Sequence, residues 1–392
     1  MLSVDEARAR ILALMPVMPV ETVPLEMAVG RSLAGKLTAA RTQPPFPSSA
    51  MDGYAVRRDE AQPGMTLMVI GEAAAGSRFD GALGPGQAVR IFTGAPVPEG
   101  ADDILIQEDV ERAGDRITVN ADRDAARYIR PAGTDFKAGA GFRPRGPLRP
   151  EDIALLAAMG FDTLPVRRKP VVALVPTGDE LVLPGQIPGP DQIVSSNNYG
   201  LGALLGLAGA TPRLMPIARD TAQHLGAVLD LARGADLVVT LGGASVGDHD
   251  LVADVARDRG LHLDFYKIAM RPGKPLMAGT MDGTPMLGLP GNPVSAMVCG
   301  HVFVLPAVRA MLGLDPAVRT HRARLAHDLG SNGPRAHFMR ATVLDDGTVE
   351  VAERQDSALL SVLQTANALA IRAPHAPAAR AGDDIEVMSL SG

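Results

Sequence analysis

Acidic residues follow glycine-containing turns at two places in the sequence, each directly after an apolar run. Asp179 and Glu180 follow VVALVPTG, and Asp248 and Asp250 lie in LVVTLGGASVGDHD. Carboxylate oxygens are ligands that Mg²⁺ prefers, and a bound metal would keep the acids from repelling a phosphate. The pattern indicates a metal-bridged phosphate site. The alternative for either pair is a solvated helix start, where the helix dipole favours acidic side chains.

Glycines and a proline-rich turn could hold the phosphate itself. Gly242, Gly243 and Gly247 lack the Cβ atom that would keep an anion away from backbone N–H groups. The N-terminus of the helix that follows would add partial positive charge. The turn LPGNP places Asn292 before Pro293, which suits an N-cap followed by the first helical residue. This turn could therefore contribute to the site or simply begin a helix.

Three basic residues, Lys267, Arg271 and Lys274, lie close together in the segment KIAMRPGKP of a protein that is acidic overall. The prolines would stiffen this loop, and the cations suit an anionic ligand. The alternative is an ordinary surface loop. His249 and His301 are isolated in the sequence, and isolated histidines are more often structural than ligating.

The stretch FPSSAMDGYAV, residues 46–56, contains a single acid, Asp52, between a methionine and a glycine. An aspartate in such a turn commonly hydrogen-bonds to its own backbone, so an Asx-turn is the alternative to a functional role. Met51 is expected in a core, and Tyr54 is expected to pack or hydrogen-bond. Residue type alone leaves the role of Asp52 open.

Periodicity predicts the elements that position these residues. The pattern SVDE near the N-terminus is that of a capping box, and apolar residues then recur at helical spacing. The segment PEDIALLAAMGF, with Pro150 near its start and Gly160 at its end, predicts a second helix that packs with the N-terminal helices. The two regions predicted to form this discontinuous helical domain are residues 1–45 and 146–168.

Residues 46–145 contain short β-branched segments between glycine and proline turns, which predicts an inserted β-domain. From residue 169 to 320, apolar strands such as VVALVP alternate with loops and helices. This alternation predicts a three-layer α/β domain with a parallel-rich sheet. Loops at the carboxyl ends of such strands converge, so TGDE, GGASVGD and PGNP would line one crevice. Residues 321–392 alternate apolar and polar residues, which predicts a C-terminal β-barrel-like domain.

The composition restricts the class of protein. A formal net charge of -6 disfavours general attraction to nucleic acid or to an anionic membrane. The single cysteine, Cys299, lies in the apolar run AMVCGHVF and is interpreted as a core residue rather than a nucleophile. No apolar run is expected to reach the ~18 residues of a membrane span, and the N-terminus lacks the pattern of a signal peptide. A cytoplasmic protein is expected.

Six motifs occur in the order SAMDGYAV, TGAPVPEGAD, PTGDEL, LGGASVGDHD, MRPGKP and LPGNPVSA, and RAHFMR and DSALLSVLQTANAL follow them. In this order, over nearly the whole chain, they resemble the molybdopterin molybdenumtransferase family, which includes the E domain of gephyrin. The resemblance implies the multidomain fold predicted above and an elongated homodimer. It also implies a Mg²⁺-dependent enzyme that inserts molybdenum from molybdate into adenylylated molybdopterin and releases AMP.

The resemblance implies roles for individual residues. Asp179, Glu180 and Asp248 would lie at the metal and molybdate end of the site, and the GGASVGD and MRPGKP loops would bind the phosphate and pyrophosphate. The implied catalytic residues are Asp52, Thr93, Asp135, Glu180 and Asp248. The implied residues that bind the molybdopterin are Thr177, Gly178, Gly242, Gly243, Ser245, Gly247, Lys267, Arg271, Lys274, Pro290, Asn292 and Pro293.

In this family the cleft forms between the α/β domain of one subunit and the β-domain of the other. Asp52, with Thr93 and Asp135, would then complete the site across the dimer and position metal, water or molybdate. The sequence departs from the family pattern near Asp135, where GTD replaces Gly-Glu-Asp, so one acid is missing. Leu241 stands where the family has a serine before the double glycine, which removes a hydroxyl but leaves a backbone cradle possible.

Two other classes of protein compete with this enzyme. A scaffold that retains the pterin site but serves assembly is the first, and the acids Asp52, Asp179, Glu180 and Asp248 disfavour it because scaffolding does not require them. A dinucleotide oxidoreductase is the second, and the lack of G-x-G-x-x-G after a predicted strand weakens it. A contact with the molybdopterin adenylyltransferase, which would supply the substrate, is a further expectation from the resemblance.

Overall fold

The structure is a computed structural model, and it describes residues 1–144, 146–243 and 251–390. The chain forms two compact units, one of which interrupts the other in sequence as an inserted domain does. The larger unit contains Met1–Thr22, Gly30–Ala34 and Pro165–Gly392, and the smaller unit contains Val23–Val29 and Gly35–Leu164. The predicted fold class, an α/β domain with an inserted β-domain and a C-terminal barrel, is confirmed. The predicted domain boundaries stay a prediction.

A six-stranded sheet forms the centre of the larger unit. The first four strands are parallel to their neighbours, and the last two join the sheet by antiparallel pairings. The spatial order of the strands is Thr211–Leu214, Val171–Pro176, Leu237–Leu241, Thr284–Leu289, Met277–Met281 and Leu261–Phe265. A parallel-rich sheet is therefore present, as the continuous apolar runs predict.

The two faces of this sheet pack into two different apolar cores. Val172 and Leu174 enter one core, and Ala173 and Val175 enter the other, because successive side chains of a strand point to opposite faces. Helices Asn197–Leu207, Pro293–Cys299 and Leu305–Met311 contribute to the first core. Helices Ala222–Leu231 and Leu251–Arg257 contribute to the second. Helices on both faces give the predicted three layers.

One helical stretch contains a change of helix type. A π-helical segment, Gly300–Val304, lies between helices Pro293–Cys299 and Leu305–Met311, and the N–H of Leu305 bonds to the carbonyl of Gly300. Pro306 has no N–H to continue the α-helical bonding pattern. By length and composition, Pro293–Met311 could span a membrane, so the expectation of no such run was wrong. An 18-residue window of this stretch is 72% buried inside the protein, as in a core helix of a globular unit.

The first helix, Val4–Leu14, packs on the α/β core. The predicted capping box is present, because the Ser3 hydroxyl accepts from the N–H of Glu6 and the Glu6 carboxylate accepts from the N–H of Ser3. Its buried residues, which join the same core as the first sheet face, are Val4, Ala7 and Ile11. The helix therefore belongs to the larger unit rather than to a helical pair with the second predicted helix.

The smaller unit contains its own six-stranded sheet. The strands occur in the order Asp103–Ile106, Gly53–Val56, Gln87–Ile91, Thr66–Ala73, Arg116–Val119 and Val110–Ala113. The predicted second helix is present as Pro150–Met159, with Pro150 in its first turn and Gly160 as a left-handed C-cap. This helix contacts the 3₁₀ turn Leu25–Met27 of the same unit. Further 3₁₀ turns are Arg58–Glu60 and Gln107–Asp109.

Short strands complete the connections of the chain. Ser48–Ser49 pairs with Ile129–Arg130, Leu37–Thr38 pairs with Gly141–Phe142, and Leu181–Val182 pairs with Ile193–Val194. The strands where the chain passes from one unit to the other are Val20–Pro24 and Thr163–Arg167.

The C-terminal region closes into a five-stranded barrel. Its strands are Thr320–Leu325, Ala336–Val343, Thr348–Val351, Ala368–Arg372 and Asp384–Ser389, and the helix Leu360–Thr365 lies between the third and fourth strands in sequence. Small and branched residues such as Ala341, Val349 and Val387 fill its interior. The two-residue strand Met270–Arg271 pairs with Ala336–Val343, so the predicted basic loop adjoins the barrel.

Replacing Ile11 with alanine is expected to destabilise the larger unit by about 2–5 kcal/mol, because Ile11 is fully buried in the α/β core. Urea unfolding followed by circular dichroism would measure the change. Leu207→Ala is the control, since Leu207 is 91% exposed and its loss should change stability by no more than about 0.5 kcal/mol. Equal effects of the two substitutions would contradict the packing of the first helix.

Candidate active site

Three loops meet at the carboxyl ends of adjacent parallel strands in the larger unit. Thr177 follows the strand Val171–Pro176, and its N–H donates to the carbonyl of Leu241 at 3.0 Å. A Cβ atom placed on Gly242 would lie 2.8 Å from the carbonyl oxygen of Thr177, and one on Gly291 would lie 3.4 Å from the Cα of Gly242. The structure therefore brings together the beginnings of TGDE, GGASVGD and PGNP, as the topology predicts.

Glycine is required at the first two positions of the second loop. Gly242 and Gly243 have φ angles of 98° and 69°, in the left-handed region that side chains disfavour. A Cβ atom on Gly243 would overlap the side chain of Val252 at the next helix. The backbone of the loop thus runs against its neighbours without side chains, which suits a cradle for an anion. The remaining predicted residues of this loop, Ser245, Gly247 and Asp248, lie outside the described residues, as do His249 and Asp250.

Asp179 and Glu180 follow Thr177 and are exposed. The carbonyl oxygen of Asp179 accepts from Nη1 of Arg219 at 2.9 Å, and its Oδ1 accepts from the N–H of Asp220 at 3.2 Å. The Glu180 carboxylate folds over Gly178, so a side chain at Gly178 would overlap it. These contacts fix the loop but leave carboxylate oxygens that could bind a metal.

The described residues contain no group of three or more His, Cys, Asp or Glu that could hold a metal ion. Two exposed carboxylates, Asp179 and Glu180, are present on one loop, and oxygen ligands of this kind suit Mg²⁺. The third predicted ligand, Asp248, is not among the described residues. Mg²⁺ also retains several waters and binds substrate phosphates at many sites, so two protein carboxylates are compatible with it.

The predicted basic loop packs beside both the helices and the barrel. A Cβ atom on Gly273 would lie 2.7 Å from Sγ of Cys299, so the loop touches a core helix. Cys299 is fully buried, as predicted, and burial raises the pKa of its thiol to about 12. Arg271 is exposed and Lys274 half-buried. Neither forms an ion pair with any carboxylate in the described part of the chain, so both charges are available to an anion.

Lys267 differs from the other two predicted cations. Its Nζ lies 5.5 Å from the centroid of the Tyr266 ring, within the range of a cation–π contact. The backbone carbonyl of Lys274, in turn, accepts from the N–H groups of Ile268 and Leu276 at 3.1 Å each. The loop between Lys267 and Lys274 is therefore held by its own backbone, with its cationic side chains on a fixed frame.

The sequence analysis assigned no role to the cations of the RAHFMR segment. Arg340 is fully buried and donates to the carbonyls of Arg354, Gln355 and Asp356 at 2.9–3.1 Å. In the sequence, this arginine is distinguished only by its position inside an apolar strand. Its interactions fix the segment that leads to Ser357.

His337 lies opposite Arg271 on the paired strands. Burial lowers the pKa of His337 to about 4, and the charges of Arg271, Arg340, Arg335 and Arg372 contribute to this shift. The imidazole is therefore neutral near pH 7 and adds no charge to the group. A positive region nevertheless remains beside the MRPGKP loop, inside a protein that is acidic overall.

The PGNP turn begins a helix and also contacts the C-terminal region. Pro293 occupies the first turn of its helix, as predicted, but the side chain of Asn292 makes no capping bond. Instead, Nδ2 of Asn292 donates to the hydroxyl of Ser357 at 3.0 Å, and the N–H of Val294 donates to the carbonyl of Ser357 at 3.0 Å. The turn therefore connects the crevice to Ser357, which the sequence analysis did not identify.

Asp52 and Thr93 come together in the smaller unit. Oδ1 of Asp52 accepts from the N–H of Thr93 at 2.7 Å and from its hydroxyl at 2.8 Å. These two bonds, with a smaller contribution from the charge of Arg90, lower the pKa of Asp52. The carboxylate bonds to another loop rather than to its own turn, so the simple Asx-turn alternative was wrong.

Asp135 is exposed, and its N–H donates to the carbonyl of Gln43 at 3.1 Å. It makes no hydrogen bond with Asp52 or Thr93 in the described residues. Asp52 and Thr93 are thus bonded directly, and the predicted participation of Asp135 in the same site stays a prediction.

Three family models match successive parts of the chain. Residues 2–160 match the MoeA N-terminal region (domain I and II), residues 173–310 match a probable molybdopterin binding domain, and residues 322–390 match the MoeA C-terminal region (domain IV). The matched regions contain all the residues of the site described above. Together they define a protein of the MoeA type.

Curated relatives and solved structures agree with these matches. A molybdopterin molybdenumtransferase of Nostoc sp. is 36% identical over 94% of this chain and 88% of its own. Molybdopterin molybdenumtransferase 2 of Mycobacterium tuberculosis is 37% identical over 94% of this chain and 95% of its own. A crystal structure of a molybdopterin biosynthesis MoeA protein from Pyrococcus horikoshii has a TM-score of 0.84 and 28% identity, covering 99% of this chain and 100% of its own.

The chain belongs to the molybdopterin molybdenumtransferase family and, like its curated relatives, it is an enzyme.

Replacing Thr93 with valine is expected to raise the pKa of Asp52, because the variant loses the hydroxyl donor that stabilises the carboxylate. The backbone N–H of residue 93 remains, so the pKa should rise only part of the way to its ordinary value. Carbon-detected NMR titration of the aspartate carboxyl groups would measure the shift. Thr66→Val is the control, because Thr66 bonds to Thr118 instead. An unchanged pKa in Thr93→Val would contradict the pairing.

Proposed function

We propose that this enzyme inserts molybdenum from molybdate into adenylylated molybdopterin, with release of AMP, in a Mg²⁺-dependent step in the cytoplasm. The observation that supports it best is the meeting of Thr177, Gly242 and Gly291, where a side-chain-free backbone lies beside exposed acids. Family membership supplies the substrate class, since the curated relatives are named for transfer of molybdenum to molybdopterin.

Different residues of the chain bind the phosphate, neutralise its charge and bind the metal. The Gly242–Gly243 backbone, with Ser245 and Gly247, holds a phosphate, and Arg271 and Lys274 neutralise the negative charge of the phosphoanhydride. Asp179, Glu180 and Asp248 would hold Mg²⁺. When bound, Mg²⁺ supplies charge neutralisation at the phosphate oxygens. Attack by water on the phosphoanhydride breaks one P–O bond, so that AMP leaves and molybdopterin keeps its own terminal phosphate, and no covalent protein nucleophile is required.

The remaining predicted residues position these groups. Thr177, Gly178, Pro290, Asn292 and Pro293 shape the crevice, and Lys267 supports the basic loop. Asp52, oriented by Thr93, reaches the crevice of a second subunit in a homodimer and orients water or molybdate there. Asp135 assists from the same side. We place the inserted β-domain at residues 46–145 and the C-terminal β-domain at residues 321–392, as the sequence predicts, and we assign the first helix, Val4–Leu14, to the α/β domain on which it packs. The adenylyltransferase that makes the substrate is its expected donor.

AMP release by the purified protein tests this function directly. With adenylylated molybdopterin and Mg²⁺ present, AMP is expected to form in proportion to molybdate as molybdate is titrated from zero, and active cofactor should form with it. Chelation of Mg²⁺ should abolish release, because the phosphoanhydride charge would be unneutralised. Chromatographic quantification of AMP makes the measurement. Tight binding of the pterin without turnover would instead support a scaffold, which no observation here favours.

Mixed dimers test the shared site. Asp52→Asn and Lys274→Ala chains, each inactive alone, are expected to recover about a quarter of wild-type activity when mixed and reassembled, because half the dimers would be mixed and each would contain one intact site. The control is a chain with both substitutions mixed with the wild type. No recovery on mixing, with heterodimers shown by mass spectrometry, would reject the shared site while leaving the reaction itself intact.

A further inference from the structure

A cavity of about 410 Å³ lies in the larger unit between the start of the helix Asn197–Leu207 and the C-terminal helix Leu360–Thr365. Its volume falls in the range of about 300–1,000 Å³ that is typical of small-molecule sites. Neither the sequence motifs nor the proposed chemistry assigns a role to it. We refer to it below as the ring cavity.

The walls of the ring cavity are apolar. Met297 and the leucines Leu360, Leu363 and Leu390 line it. Flat aromatic ligands suit such walls, because leucine side chains pack on ring faces and a methionine sulfur makes favourable contacts with aromatic rings. An aromatic ring placed here would lose contact with water where it packs on these side chains, which the hydrophobic effect favours.

The polar groups of the ring cavity are all uncharged. Ser196, Asn197 and Gln364 provide hydroxyl and amide groups that can both donate and accept hydrogen bonds. Among the residues that the structure describes, no Asp, Glu, Lys or Arg lines the cavity. A ligand group that carries a full charge would therefore lose its hydration without gaining a partner, which is costly. The lining selects an uncharged ring with hydrogen-bonding edges.

His301 is the most distinctive group in the lining. It lies in the π-helical segment Gly300–Val304, and such segments occur frequently at functional sites. Burial lowers the pKa of His301, so the imidazole is neutral at pH 7. Its side chain has no hydrogen-bond partner within residues 1–144, 146–243 and 251–390. One ring nitrogen can therefore donate to a ligand and the other can accept from it.

The ring cavity adjoins the crevice through direct contacts. Nδ2 of Asn197 donates to the carbonyl of Gly291 at 2.7 Å, and Gly291 packs against Gly242. Ser357, which accepts from Asn292, lies just before the helix that forms the other wall. A ligand in the cavity could therefore extend into the region where the phosphate loops meet.

We propose that the ring cavity binds the uncharged pterin ring of the substrate, between Met297 and Leu363 and with hydrogen bonds to His301 and Asn197. The phosphate end then extends toward the crevice at Gly242 and the basic loop. This inference rests on the proposed function, and it adds a binding site for the ring that is separate from the residues that bind phosphate. The ring and the charged end of one substrate are thus recognised by groups of different chemistry.

Binding of 6-hydroxymethylpterin, which has the ring but no phosphate, tests the proposal. The protein contains no tryptophan, so the fluorescence of the pterin can be followed in equilibrium dialysis without interference. His301→Leu removes the polar edge and Ala366→Phe places a larger side chain in the cavity lining. Each is expected to weaken binding at least about tenfold, from loss of hydrogen bonds or of space.

Matched controls separate these effects from damage to the fold. His262→Leu removes an exposed histidine, and Leu207→Phe enlarges a residue that is 91% exposed; both should leave pterin binding unchanged. Lys274→Ala should also leave it unchanged, while weakening the binding of inorganic pyrophosphate. Wild-type melting temperatures in His301→Leu and Ala366→Phe would show that the loss is local.

The outcomes also distinguish this proposal from the proposed function. Undiminished pterin binding in both His301→Leu and Ala366→Phe, or no pterin binding by the wild type at millimolar concentration, would overturn the ring cavity as the pterin site. Molybdate-dependent AMP release could persist in that case, and the proposed function would stand. Conversely, cavity-dependent pterin binding by a protein that never releases AMP would support the ring site and reject the reaction.

Discussion

The close approach of backbone to backbone at the ends of three parallel strands is the constraint on which the rest of the site depends. Gly242 contacts both Thr177 and Gly291, and the contact with the carbonyl of Thr177 leaves no room for a Cβ atom on Gly242. Because Gly242 and Gly243 have no side chains, the loops can approach each other closely at this junction. The exposed acids and the PGNP turn adjoin this junction because they lie on loops that follow neighbouring parallel strands.

Cationic groups and uncharged polar groups lie in different regions of the larger unit. The protein has a net charge of -6, yet Arg271 and Lys274 have no described carboxylate partner, and His337 beside them stays neutral. The described lining of the ring cavity contains no Asp, Glu, Lys or Arg. A substrate with one anionic end and one uncharged aromatic end would find complementary surroundings for both. The glycine loop and the basic loop would therefore discriminate among anions, and the helices that line the ring cavity would recognise the ring.

Much of the fold could be predicted from the sequence, because buried parallel strands have continuous apolar runs such as VVALVP and because SVDE defines a helix start. The meeting of the three loops followed from topology alone. The contacts of the first helix could not be predicted, since its apolar face is equally compatible with several partners. The bonds of Asp52 to Thr93 and of Asn292 to Ser357 join residues 41 and 65 positions apart. No local sequence pattern indicates such distant pairs. The residues next to His301 in the sequence likewise do not indicate that its side chain lines a cavity.

The position of the first helix has a consequence for synthesis of the chain. Val4, Ala7 and Ile11 leave the ribosome first, but the strands and helices of the core that buries them begin at Val172. The smaller unit, whose residues end at Leu164, is complete before that core exists. The helix contacts Met277–Met281 and residues 300–311, and at about 5–20 residues per second these are synthesised roughly 15–60 seconds after it. The apolar face of the first helix is thus exposed to water until after the whole smaller unit has been synthesised. The helix can pack on its core only when most of the larger unit has been made.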